Sequence, residues 1–125
     1  MTEFTVHLPN RPGSLADLAE RLAAVGINIE ALAAIGIDEA GTVKLIVDDE
    51  VTTRRMLDHH GLTFEERRVI TTLLPDRPGS VAAMTRRLAE AGMNIDAMYL
   101  LRSTPEGLEF AIAIEGGDGE GRIAS

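Results

Sequence analysis

LPNRPGS, residues 8–14, returns as LPDRPGS at residues 74–80, 66 positions later. The match runs outward from both motifs. Leu8–Leu32 reads LPNRPGSLADLAERLAAVGINIEAL and Leu74–Met98 reads LPDRPGSVAAMTRRLAEAGMNIDAM. A match of about 25 residues at a fixed offset is one structural unit used twice.

Each copy has one grammar. An apolar strand ends at Leu8 or Leu74, and a proline-glycine turn follows. Proline fixes φ and cannot continue a central strand, while glycine reaches backbone conformations closed to other residues. A helix starts at once, with Ser14 the expected N-cap and Asp17 its capping-box partner. Ser80 has Ala83 three residues on, so that box is incomplete. Leu15, Leu18, Ala19, Leu22 and Val25 form one apolar face, matched by Val81, Met84, Leu88 and Ala91. Gly26 and Gly92 stand where a left-handed C-cap residue is wanted. Asn28-Ile29 and Asn94-Ile95 then open the next strand.

The strand-to-helix corner carries the functional expectation. The first amides of a helix have no internal partner and carry partial positive charge, which suits a carboxylate. Glycine in the turn lets a ligand approach the backbone. The Asn28 and Asn94 amides donate and accept, and can reach the corner of a neighbouring unit. Together these groups suit the carboxylate and ammonium of a free amino acid. Taken singly, a Pro-Gly turn or a Gly-x-Asn step is most often only structural; their joint recurrence at one spacing favours a shared role.

Composition narrows the classes. The 125 residues hold no cysteine, which removes disulfides, thiolate metal sites and cysteine nucleophiles. Net charge −8 and 3% aromatics argue against nucleic-acid backbones and base stacking. No apolar run reaches the length of a membrane span, and the start does not read as a signal peptide, so a cytoplasmic location is expected. Adjacent His59 and His60 beside Gly61 read as a helix C-terminus, not a metal site. His7 reads as a surface residue, sharing its strand face with Glu3 and Thr5. No catalytic constellation, phosphate loop or cofactor motif is present, so no enzyme activity and no cofactor are expected.

The remaining elements follow by pattern. A strand over 28–37 carries an apolar run that predicts burial on both faces or at an interface. A hairpin turn covers Asp38–Gly41, with Gly41 as the flexible position, and a third strand covers 42–47. A helix covers 51–60 and a fourth strand 62–68, running into 69–74 without a linker. The second copy repeats helix 79–91, strand 94–102, a Pro105-Glu106-Gly107 turn and strand 108–115. Its third strand aligns with a one-residue shift, Val43, Leu45 and Val47 against Phe110, Ile112 and Ile114. Residues 116–125 read as a flexible glycine-rich tail. The first copy is thus βαββαβ over 1–68 and the second βαββ over 69–115. The shortened copy should leave an open strand edge and apolar surface, so a homo-oligomer, a dimer in the simplest case, is expected.

This order, with Asn10-Arg11-Pro12-Gly13-Ser14 before the helix and Ile27-Asn28-Ile29 after it, resembles the ACT domain, a ferredoxin-like module that binds amino acids and regulates their metabolism. The resemblance covers about 2–68 and 69–115 and implies an α+β fold of two modules with antiparallel sheets, side by side. The tandem arrangement is similar to stand-alone double-ACT proteins. It further implies a non-catalytic regulator with a ligand at an interface between two modules. The implied ligand-binding residues are Asn10, Arg11, Pro12, Gly13, Asn28 and Ile29 in the first copy, and Asp76, Arg77, Pro78, Gly79, Asn94 and Ile95 in the second. Asp76, an acid where the first copy has an amide, would repel a carboxylate and hold an ammonium. The alternative is a regulatory subunit of an amino-acid-metabolism enzyme with no ligand of its own. A small hydrolase using Arg11 and Asn28 is a third and weaker reading.

Overall fold

The computed structural model describes residues 1–116; the expected tail lies outside the described residues from 117 onward. The chain divides into two compact units, Thr2–Glu66 and the stretch from Arg67 onward, to which Met1 also belongs. In the first, β1 (Thr2–Pro9), α1 (Ser14–Ala24), β2 (Ile29–Ile37), β3 (Ala40–Val47), α2 (Glu50–His59) and β4 (Thr63–Arg68) follow in the expected order. The sheet order is β2-β3-β1-β4, with β3 antiparallel to both neighbours. This is the ferredoxin-like arrangement. In the second, β5 (Ile70–Leu74), α3 (Ser80–Glu90), β6 (Ile95–Thr104) and β7 (Gly107–Ile114) give an antiparallel sheet ordered β5-β7-β6.

The registers carry the repeat and its one-residue slip. Leu8 pairs with Gly41 and Val6 with Val43. Their counterparts Leu74 and Thr72 pair with Leu108 and Phe110, so the third strands correspond at an offset of 67. Phe4, Val6, Leu18, Leu22, Leu45, Met56 and Leu57 form the first core. Leu74, Met84, Ile112 and Ile114 form the second. All three helices end alike. The amide of Ile27 bonds the Leu22 carbonyl and that of Gly26 the Ala23 carbonyl. Leu62 and Gly61 repeat this on Leu57 and Asp58, as Met93 and Gly92 do on Leu88 and Ala89. This paired closure with a left-handed glycine satisfies carbonyls the helix would otherwise leave open. It also turns Ile27 back onto the core beside Leu22.

Several local expectations are corrected. Ser14 does not cap α1. Gly13 occupies the cap at φ 92°, ψ −17°, and Ser14 is already helical. Gly79 does the same at φ 92°, ψ −13°, and neither cap has a side-chain hydrogen bond. The left-handed glycine lets its own carbonyl accept from Asp17 or Ala83, so the chain enters the helix without help from serine. The apolar helix stripes are narrower than their periodicity implied. Leu18, Leu22 and Met84 are buried, whereas Leu15, Val25 and Val81 are exposed. β2 is not buried on both faces: Leu32, Ile35 and Ile37 are exposed on an edge strand. Asp38, at φ 53°, supplies the left-handed residue of the β2–β3 turn, while Gly41 lies inside β3. His7 is exposed, with Nε2 2.7 Å from Glu65 Oε2, but its face-mates Glu3 and Thr5 are buried, with Lys44 contacting both.

Candidate functional site

Each module places a recess at its strand-to-helix corner. In the first, Pro9-Asn10-Arg11 and Ser14-Leu15 form one wall. Ala34–Gly36 of β2 and Gly41–Val43 of β3 form the other, around about 150 Å3. A second hollow of about 130 Å3 lies on the other side of Pro9 and Arg11, bounded by Ser14, Asp17 and Arg21 of α1 and by Leu62. The second module has one larger recess of about 460 Å3, lined by Leu73, Leu74, Pro75, Arg77, Pro78, Gly79, Ser80, Ala83 and Arg87.

The corners share one backbone plan. Arg11 and Arg77 donate their amides to the carbonyls of Pro9 and Pro75, and Ser14 and Ser80 theirs to Arg11 and Arg77. The first helical bond then runs from Asp17 to Gly13, or from Ala83 to Gly79. The amides of Leu15 and Ala16, and of Val81 and Ala82, precede that bond and are the open donors of each helix start. A Cβ on Gly13 or Gly79 would meet nothing within 4 Å, so the space beside each turn glycine is open.

The two LPxRPGS loops differ at one position. Asn10 donates its side-chain amide to the Asp38 carbonyl at 2.8 Å. Its amide lies over Gly36, where an added Cβ would come within 2.5 Å of Asn10 Oδ1. Asn10 therefore braces the loop against the β2–β3 turn and lines the recess. Asp76 cannot donate that bond, and it does not line the recess of the second module.

The residues after the helix do not join these recesses within a module. Asn28 lies beyond the C-terminus of α1, about 16 Å of helix away from Gly13. Its amide donates to Asp48 Oδ1 at 3.0 Å and its carbonyl accepts from the Asp48 amide at 3.2 Å. The Asn94 carbonyl accepts from the Glu115 amide at 2.8 Å. Ile29 and Ile95 pack against their own cores. The asparagine side chains are exposed. Gly36, Asp38, Ala83 and Arg87 were not among the expected site residues. The last two were discoverable from the repeat itself, because Ser14, Asp17 and Arg21 align with Ser80, Ala83 and Arg87.

His59 and His60 meet edge-on with ring centres 5.0 Å apart. Partial desolvation, with Arg21 and His59 adding positive charge nearby, lowers the His60 pKa. Among the described residues no group of three or more His, Asp or Glu is placed to hold a metal ion. Among those residues, too, no helix is long and apolar enough to cross a membrane.

Residues 68–123 match the ACT domain family model. No curated protein matches the sequence. Among solved structures, protein BT0572 from Bacteroides thetaiotaomicron superposes with a TM-score of 0.82 at 23% identity, over 92% of this chain and 79% of that one. The regulatory subunit of aspartate kinase from Thermus thermophilus, in ligand-free form, superposes at 0.68 and 18% identity, over 90% and 81%. A structure of aspartokinase alpha and beta subunits gives 0.65 at 20% identity, over 90% and 80%. At these identities the likeness is one of fold.

Proposed function

We propose that this chain is a tandem ACT-domain protein, its first module repeating the fold and motif of the second, which the family model matches, and that it is a non-catalytic regulator that binds a free amino acid. The supporting observation is the paired corner: a left-handed glycine before the helix and a hollow along the same stripe of that helix, Ser14, Asp17 and Arg21 in one module and Ser80, Ala83 and Arg87 in the other. The helix amides bind the ligand carboxylate. The modules act as 1–68 and 69–115. Asn28, Ile29, Asn94 and Ile95 cannot serve the corner of their own module. Their role therefore requires another module to close the site, with Asn28 or Asn94 taking the ammonium, and a second copy of the chain supplies one.

A homodimer also suits β2. It is nine residues long, without proline, at a sheet edge, with Leu32, Ile35 and Ile37 exposed. Such an edge recruits another strand unless something covers it. The same surface supports the second reading, docking on an amino-acid-metabolism enzyme as a subunit with no ligand of its own. The aspartate kinase regulatory subunit of similar fold fits that reading.

Thermal shift against the standard amino acids at millimolar concentration separates the two. A ligand present at 100 times its Kd stabilises by about 2.7 kcal/mol, a rise of several degrees. A response confined to one or a few amino acids supports the sensor. No response to any of them sinks it.

A further inference from the structure

We propose that the recess of the second module selects an acidic amino acid, with Arg77 and Arg87 holding its side-chain carboxylate. This deepens the amino-acid reading above and rests on it. On α3, Ser80, Ala83 and Arg87 fall at spacings of three and four, so they form one stripe along the wall of the recess. Arg77 enters from the loop. Two arginines thus line one hollow in a chain of net charge −8. Neither joins the ion pairs that tie Arg54, Arg67 and Arg102 to acids. Asp76, the nearest acid in sequence, does not face the recess. A planar guanidinium fork suits a carboxylate in two-point contact, and Leu73, Leu74 and Pro75 offer an apolar wall for the ligand's methylenes.

The first module supplies the internal contrast. At the same stripe it carries Ser14, Asp17 and Arg21, with Arg11 in the place of Arg77. Asp17 stands four residues before Arg21, the spacing at which an acid and a base on a helix attract. Its carboxylate offsets the cations and occupies space, and the hollow there is about 130 Å3 against about 460 Å3. The exchange of Asp17 for Ala83 between the copies removes the acid from the cationic site, and the Leu62 that closes the first hollow has no counterpart in the lining of the second. The two modules have different ligand preferences, and the acid-selecting one is the second.

Calorimetry on the full chain at fixed ionic strength tests this with L-glutamate, L-aspartate, L-glutamine, L-asparagine, sulfate and inorganic phosphate. The expected result is an acidic amino acid bound about tenfold or more tightly than its amide, the scale of one charged hydrogen-bonded contact. Arg87→Gln and, separately, Ala83→Asp should each remove that preference. Both positions are exposed, and unchanged Tyr99 emission confirms that the module remains folded. Asp17→Ala should add a second acid-binding event. Equal affinity for acid and amide, indifference to Arg87→Gln, or sulfate competing as well as glutamate would overturn the proposal. If some other amino acid binds and the acids do not, the acid site fails while the sensor stands. If none binds, both fail.

Discussion

Gly107 and Gly79 both hold positive φ, at 143° and 92°, but for different reasons, and substituting alanine at each separates them. At Gly79 an added Cβ meets nothing within 4 Å, so alanine adds only backbone strain, about 1–2 kcal/mol. At Gly107 the same carbon would lie 2.3 Å from the Leu74 carbonyl oxygen and 3.1 Å from its carbonyl carbon. Those are backbone atoms, so the contact yields only if β5 parts from β7 where Leu74 pairs with Leu108. The losses of dihedral freedom and of the strand end combine to about 3 kcal/mol or more. Tyr99, the single tyrosine in a chain without tryptophan, sits on β6 opposite Ala111 and reports on this module alone. Urea unfolding followed by its emission should place Gly107→Ala lower than wild type by about 1.5–3 M, for an m-value of about 1–2 kcal/mol/M. Gly79→Ala should fall by roughly half of that or less. Equal midpoints for the two variants, or a Gly107→Ala midpoint at the wild-type value, would refute the steric argument.

Leu22→Ala empties the centre of the first core and should cost about 2–5 kcal/mol, read by amide hydrogen exchange in α1 and β1, with Tyr99 emission unchanged. Arg54 donates to both oxygens of Glu66 at 2.7 and 2.6 Å and lowers its pKa. A carboxylate whose pKa is depressed by folding adds stability above its unfolded value of about 4.5 and loses it as pH falls through the lower folded value. Glu66→Gln should therefore destabilise the first module by about 1 kcal/mol or less at neutral pH, Arg54 being well exposed, and should be neutral at the acid end. An unchanged acid limb would contradict this. Ile35→Lys with Ile37→Lys charges the β2 edge and should convert a dimer to a monomer in sedimentation velocity; persistence of the dimer would place its interface elsewhere.

The repeat made much of the fold legible. Duplicated LPxRPGS, helix period and Gly-x-Asn-Ile fixed the order of elements, and the shifted third strand was visible before its pairing was known. Failures occurred where backbone geometry overrides side-chain preference. A serine after Pro-Gly looks like a cap, but glycine in the left-handed region does that work first. Asp38 and Gly41 are both plausible turn residues, and only the two-residue loop between Ile37 and Ala40 chooses between them. The apolar run of β2 cannot say whether a strand is central or at an edge, because pairing order is not local. The corner itself is marked by its motif, and Ala83 and Arg87 are reached only by carrying the repeat on along the helix to Asp17 and Arg21. Asn28 and Asn94 stand a helix length from their own corners, which agrees with the expectation that they face a neighbouring unit, and which unit that is does not follow from a local motif.

Amide chemical shifts followed during titration of a responding amino acid test the central claim most directly. The account predicts the largest changes at Gly13, Ser14 and Leu15 or at Gly79, Ser80 and Val81, with smaller ones at Asn28 or Asn94. Saturable changes clustered elsewhere, with these amides unmoved, would contradict it.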